Sequence, residues 1–376
     1  MQKIGIVGAG AMGSGIAQVA AQAGVNVVLY DLSEQSLDRA SSQLRSTIAK
    51  LIEKNKIDAA AGESLLSRIR TTTELGELAT SEMVIEAIVE QAEVKKNLFR
   101  DLEKIVSPDC ILASNTSSLS ITGLASACEH SERVIGLHFF NPAPLMPLVE
   151  IIPALQTKVG LSDQLSQLMT AWKKNPVVAK DTPGFIVNRV ARPYYSEALR
   201  IFEEGLASMQ QIDAAMRHIG FRMGPFELMD LIGNDVNYSV TRSVFEMFYY
   251  DPRYRPSITQ LKHVEAGWFG RKSGRGYYSY TEETIETIAH EPTLDFVHER
   301  ILAILINEAY DALYLGIASA NDLDLSMTKG VNYPKGLIVW GAEIGLNIIA
   351  ERMQSMYAQY QEDRYRLSPG IRNAIS

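Results

Sequence analysis

Short apolar runs open the chain: "IGIV" from Ile4 to Val7, then, past a glycine-rich turn and an alanine-rich stretch, "VNVVLYD" ending in Asp31. This pattern predicts a buried strand, a tight turn, a helix and a second strand. Three later runs, "MVIEAIVE", "CILASNTSS" and "RVIGLHFFN", are strands that end in polar residues. Between them "AEVKKNLFRDLEKIV" has helical spacing, with Val94, Leu98, Leu102, Ile105 and Val106 on its apolar face. From Ser33 to Lys56, Leu37, Leu44, Ile48, Leu51 and Ile52 mark the inner side of a long helix. Strands alternating with helices predict a doubly wound α/β domain over residues 1–182.

Beyond the breaker at Asp181 to Gly184, strand signals give way to helical spacing, and the chain compares with itself. "NRVARPYYSEALRIFEEGLASMQQIDAAM" lies over "ERILAILINEAYDALYLGIASANDLDLSM" without a gap. Arg189 pairs with Arg300, Glu197 with Glu308, Gly205 with Gly316, Asp213 with Asp324 and Met216 with Met327; "RYRPS" at Arg253 returns as "RYRLS" at Arg364. Two repeated all-α domains are therefore expected, 183–285 and a degenerate copy over 292–376, joined near "TEETIETIAHEPT".

The first turn carries chemistry. Gly8, Gly10 and Gly13 make G-x-G-x-x-G between a strand and a helix, the Rossmann-type arrangement in which backbone approaches a pyrophosphate at a helix N-terminus. Asp31 at the end of the second strand suits a ribose 2'-hydroxyl and disfavours a 2'-phosphate, so NAD is expected rather than NADP. Ligands of such sheets gather at the carboxyl ends of the strands, where Glu90, Ser117 and His138 can meet.

Composition narrows the function classes. A formal charge of −8 argues against a nucleic-acid surface. Six histidines and two cysteines, in no metal-ligand spacing, leave no metal site; Cys110 and Cys128 read as reduced thiols of a cytoplasmic protein. No apolar stretch is long enough to span a bilayer, and the glycines of the N-terminus argue against a signal peptide. On the long helix, Thr47, Lys50 and Lys54 share a polar side that can hold an anionic ligand, although a solvated face fits the charge pattern equally.

His138 sits in "GLHFFNPAPLMPLVE", before Pro142, Pro144 and Pro147, which stiffen the connection to a second strand, "LVEII". That turn can bring Glu150 against the imidazole. A lone histidine near an apolar strand is more often a core or loop residue. Here its place at the nucleotide crevice suits a general base, with the carboxylate fixing its tautomer. Ser117 can bond a substrate hydroxyl, or cap a helix. Asn188 in "DTPGFIVNR" can donate to a carbonyl oxygen, or simply be polar in a first helical turn.

"GAGAMGSGIAQ", "VIEAIVE", "SNTSSL", "GLHFFNPAPLMPLVE" and "DTPGFIVNR", in this order, resemble the L-3-hydroxyacyl-CoA dehydrogenases of fatty-acid β-oxidation over about the first 285 residues. The resemblance implies NAD-dependent oxidation of (3S)-3-hydroxyacyl-CoA to 3-oxoacyl-CoA. It implies His138 as base, Glu150 as its partner, and Ser117 and Asn188 as substrate-oxygen contacts. Asp31, Glu90, Lys95 and Asn141 match cofactor contacts, Lys272 in "FGRKSGRGYY" a further one, and Thr47 and Lys54 contacts to coenzyme A.

The tandem form, with "GVNYPKG" and "EDRYRLSP" near the end, is similar to 3-hydroxyadipyl-CoA dehydrogenases and to the dehydrogenase part of multifunctional β-oxidation proteins. A short or dicarboxylic acyl chain is the alternative specificity. Asn188 corresponds to Glu299, which cannot donate the same hydrogen bond, so the second copy is expected to be structural. Single-copy members of the family dimerise through the helical domain; here the second copy is expected to pack on the first and mimic that contact within a monomer. Two other classes remain, an NAD-binding regulator without the chemistry and a dehydrogenase of free hydroxy acids.

Overall fold

The apolar runs of the first half build one sheet. Its strands are β1 (Lys3–Val7), β2 (Asn26–Tyr30), β3 (Ile69–Thr72), β4 (Met83–Glu86), β5 (Ile111–Ser114), β6 (Val134–Phe139), β7 (Leu148–Pro153) and β8 (Asn175–Val178), in the spatial order β3-β2-β1-β4-β5-β6-β7-β8. Neighbours are parallel except β6 and β7, which form an antiparallel pair. The strand order reverses between β1 and β4, which opens a crevice at their carboxyl ends. The computed structural model describes residues 1–280 and 293–376, so the expected junction between the helical copies lies outside the described residues.

Helices α1 (Ala11–Gln22), α2 (Glu34–Glu53), α3 (Ala59–Ser67), α4 (Ala92–Ile105), α5 (Ile121–Ala125) and α6 (Leu161–Ala171) belong to the same unit, Met1–Thr182. Its core runs from Ile4 and Ile6 through Ile16, Leu29, Ile85 and Leu137 to Ile151 and Trp172. Leu37, Leu44 and Ile48 of α2 are buried as the periodicity predicts. The face of α4 differs in part from the expected one: Leu102 and Val106 are buried as expected, but Lys95 and Phe99 are buried with them, whereas Val94 is 40% exposed. A lysine can take an inner position because a carboxylate waits there.

The second unit, Pro183–Ser376, is all helical: α7 (Val187–Val190), α8 (Arg192–Glu203), α9 (Met209–His218), α10 (Pro225–Ile232), α11 (Asn234–Met247), α12 (Ile258–Glu265), α13 (Thr293–Tyr314), α14 (Ala320–Gly330), α15 (Leu337–Ile344), α16 (Leu346–Tyr360) and α17 (Pro369–Ile375). Corresponding residues of the repeat meet reciprocally. Arg189 Nε donates to Glu308 at 2.6 Å, and Arg300 Nε to Glu197 at 2.6 Å. The Tyr254 hydroxyl donates to Glu308 at 2.6 Å, and that of Tyr365 to Glu197 at 2.9 Å. Such exchange of partners is the signature of an isologous contact. Among the described residues, no helix is long and apolar enough to cross a membrane.

Candidate active site

Alternation along β6 and β7 fixes the first pair of groups. In an antiparallel ladder directly opposed residues share a face, and His138 stands opposite Glu150. Their side chains meet, Nδ1 to Oε2, at 2.7 Å, with the imidazole 6% exposed and the carboxylate fully buried. Phe140 packs on the imidazole, ring centroids 4.5 Å apart. The loop that follows is tied down from outside the hairpin: Lys174, buried after α6, donates to the carbonyls of Ala143 and Met146. Burial lowers the Lys174 pKa to about 8. Asn141 lies exposed in this loop.

A second group gathers at the ends of β4 and β5. Lys95 Nζ stands 2.6 Å from Glu86 and 3.0 Å from Glu90. Glu86, wholly buried, also accepts from the Ser114 hydroxyl at 2.6 Å and the Ile88 N–H at 2.7 Å. Glu90 Oε1 accepts from the Thr116 hydroxyl at 2.6 Å and the Ser117 N–H at 2.9 Å. Burial opposes ionisation of Glu90, yet Lys95, Thr116 and Ser117 outweigh it and hold the pKa below its ordinary value. Asn115 accepts the Phe139 N–H at 2.8 Å, joining the end of β5 to the histidine strand. Sequence reasoning picked Glu90, Lys95 and Ser117 and missed Glu86. The available signal was an acid inside the apolar run "MVIEAIVE".

The glycine turn forms the third group. Gly8 has φ +105°, and a Cβ there would stand 2.6 Å from the Ala87 carbonyl oxygen. A Cβ on Gly13 would lie 1.8 Å from the Gly8 oxygen, so α1 and the turn touch backbone to backbone. Gly10 is different: a Cβ would meet no protein atom within 4 Å, so the fold itself does not need glycine there. Gly10 is the N-cap of α1, which has no side-chain cap, and Asp31 accepts the Ala9 N–H at 2.8 Å and the Ser33 N–H at 2.9 Å. An open glycine, an uncapped helix end and an acid at the end of β2 fit a dinucleotide.

The other expected residues are spread more widely. Thr47 is half-buried on α2 and Lys54 is the exposed C-cap of that helix. Asn188, on α7, is half-buried, and Lys272 is paired with Asp235 at 2.6 Å; both belong to the helical unit. Among the described residues no cluster of histidine, cysteine or acids is disposed to hold a metal ion.

Comparison with known proteins identifies the family. The family described as "3-hydroxyacyl-CoA dehydrogenase, NAD binding domain" matches residues 3–182. Its companion, "3-hydroxyacyl-CoA dehydrogenase, C-terminal domain", matches twice, over 184–280 and 296–375. The chain is 37% identical to a 3-hydroxyadipyl-CoA dehydrogenase of Escherichia coli K12, covering 97% of this chain and 96% of the relative. It is 42% identical to a mitochondrial hydroxyacyl-coenzyme A dehydrogenase of Homo sapiens over 74% of this chain and 91% of that one. The crystal structure of a 3-hydroxybutyryl-CoA dehydrogenase from Escherichia coli K12 superposes with a TM-score of 0.94 at 36% identity, covering 99% of this chain and 98% of that one. The chain belongs to the 3-hydroxyacyl-CoA dehydrogenase family.

Proposed function

We propose that this protein oxidises (3S)-3-hydroxyacyl-CoA to 3-oxoacyl-CoA with NAD, reversibly, and that His138 is the base. The observation that carries the assignment is the buried 2.7 Å contact between His138 Nδ1 and Glu150. A carboxylate only accepts, so it holds the proton on Nδ1 and leaves Nε2 as the ring's acceptor. Nε2 takes the substrate's hydroxyl proton, and Glu150 stabilises the imidazolium that results. NAD, when bound, accepts the hydride from the same carbon.

Ser117 orients the substrate oxygen from the Glu90 and Lys95 network, and Asn188 donates to the same oxygen without adding charge. Gly8, Gly10, Gly13 and Asp31 hold the dinucleotide, with Glu90, Lys95, Asn141 and Lys272 as further contacts. Thr47 and Lys54 on α2 contact coenzyme A. A dicarboxylic acyl chain is the second reading, supported by likeness to the 3-hydroxyadipyl-CoA enzyme over 97% of the chain.

The helical copies, taken as two domains, act as an intrachain pseudo-dimer in a monomer, a reading the reciprocal ion pairs support. A cytoplasmic location suits the two buried thiols, which burial pushes up to about 11 and so out of the reactive range.

The test is acetoacetyl-CoA reduction by NADH in the wild type, His138→Gln and Glu150→Gln. His138→Gln is expected to lower kcat by roughly 10²–10⁴-fold with NADH affinity little changed. Glu150→Gln, whose amide can favour the wrong tautomer, is expected to lose kcat in the same sense. Equal turnover in wild type and His138→Gln removes the base from its role.

A further inference from the structure

Five arginines are buried among the described residues: Arg133, Arg189, Arg192, Arg300 and Arg364. Four have a carboxylate in ion-pair range: Arg133 has Glu103, Arg189 has Glu308 and Asp311, Arg300 has Glu197 and Glu204, and Arg364 has Glu197 and Glu362. Arg192 stands apart. It is 5% exposed, and no described carboxylate lies within salt-bridge distance. Its Nη1 donates to the Thr241 hydroxyl at 3.1 Å, its guanidinium lies 4.9 Å from the Tyr195 ring centroid, and its Nε has no hydrogen-bond partner among the described residues. Burial presses its pKa down, and Tyr195 and Tyr333 are the ionisable neighbours that counter this. The Tyr333 ring stands 5.7 Å from that of Tyr194, two residues on from Arg192, and its hydroxyl has no hydrogen-bond partner among the described residues. A buried charge with no described counter-ion, near a buried hydroxyl with no described partner, is unfavourable for an empty fold and suits one that takes up an anion.

The repeat supplies an internal control. At the fixed offset of the helical copies, Arg189 to Arg300, the counterpart of Arg192 is Ala303. The Tyr333 N–H bonds Met327 as the Phe221 N–H bonds its counterpart Met216, so phenylalanine stands where Tyr333 has a hydroxyl. Phe221 and Tyr333 pack on each other, centroids 4.8 Å apart. The same helical packing is thus made by alanine and phenylalanine on one side, so neither the guanidinium nor the hydroxyl is required by it.

Arg192 also follows Asn188 by four residues. Ala191, between α7 and α8, keeps right-handed helical dihedrals, so the two residues lie on one helix face about 6 Å apart along the axis. That step compares with the five-bond path, in an extended six-carbon diacid, from the hydroxyl oxygen on the oxidised carbon to an oxygen of the far carboxylate. Resting on the dehydrogenase reading and on Asn188 as a substrate-oxygen contact, we propose that Arg192 and Tyr333 receive the distal carboxylate of the acyl chain, which makes the protein selective for dicarboxylic 3-hydroxyacyl-CoA thioesters. The guanidinium Nε and the tyrosine hydroxyl each donate one hydrogen bond to it, and the Tyr195 ring walls the site.

The test compares kcat/KM for 3-hydroxyadipyl-CoA and 3-hydroxyhexanoyl-CoA, which carry a carboxylate or a methyl at the same chain length. The wild type is expected to prefer the diacid. Arg192→Leu is expected to lower the diacid-to-neutral ratio roughly tenfold to hundredfold, the worth of a charge-assisted hydrogen bond. Arg192→Lys is expected to recover part of it. Tyr333→Phe keeps the ring that packs on Phe221 and is expected to lower the ratio about tenfold; it decides the matter if Arg192→Leu does not fold. A wild type without preference, or variants that leave the ratio unchanged, overturns the proposal. Turnover of the neutral thioester without discrimination refutes the carboxylate receptor alone. Turnover of neither thioester refutes the dehydrogenase reading as well.

Discussion

Lys95 and Glu86 form an ion pair of 2.6 Å with both side chains shut off from solvent, 1% and 0% exposed. Removing one member of a buried pair strands the other charge, a change of about 3–5 kcal/mol. Glu86→Leu is therefore expected to destabilise the protein toward the lower end of that range, because Glu90, 37% exposed, is the one other acid in ion-pair range of Lys95 among the described residues. Replacing both, Glu86→Leu with Lys95→Met, is expected to recover most of the loss. Urea unfolding of the two variants checks it; a double variant as unstable as the single would show that packing, rather than charge, dominates.

The same pair marks where sequence reading stops. Helical periodicity put Val94 inside and left Lys95 to its charge, yet Val94 is 40% exposed and Lys95 is buried. Periodicity describes one helix; what permits a lysine inside is an acid on β4, another element. His138 and Glu150 were legible because strand alternation and three prolines act within one hairpin. The repeat was legible as a fixed offset, but not the exchange of Arg189 and Arg300 between copies, which depends on how helices meet. Arg192 was missed because the sequence shows a charge without showing that no described carboxylate pairs with it.

Glu308 serves Arg189, Arg253 and Tyr254 together, and its counterpart Glu197 serves Arg300, Arg364 and Tyr365. Glu308→Ala and Glu197→Ala should each destabilise by about 3–5 kcal/mol, since each leaves buried arginines short of an acid. With the contact satisfied within one chain, wild-type protein is expected to sediment as a monomer at micromolar concentration. A dimer that Glu308→Ala dissociates would mean that the copies exchange between chains.

Lys174 gives a pH dependence with a definite sign. Burial lowers its pKa from 10.5 to about 8 in the folded protein. Between those values the unfolded chain binds more protons than the folded one, so this group's contribution rises with pH across that window and is lost as pH falls through about 8. Lys174→Met removes that slope together with the bonds to Ala143 and Met146. The stability difference, wild type minus variant, is expected to grow from pH 8 to pH 10 in urea titrations. A difference independent of pH would show that the ammonium is no harder to bury here than in water.

Gly10 and Gly13 separate fold from ligand within one motif. A methyl on Gly13 would fall 1.8 Å from the Gly8 oxygen, a clash that backbone has to move to relieve. Gly13→Ala is therefore expected to destabilise by several kcal/mol, roughly the range for overpacking and above. A methyl on Gly10 meets no protein atom within 4 Å, and its φ of −69° suits alanine. Gly10→Ala should keep the wild-type melting temperature within about 1–2 °C. It is nevertheless expected to weaken NADH binding by at least about tenfold, because the methyl occupies the space through which backbone approaches the pyrophosphate. Thermal melts paired with NADH fluorescence titrations read both quantities on the same samples. If Gly10→Ala binds NADH as the wild type does, the dinucleotide does not run over this glycine.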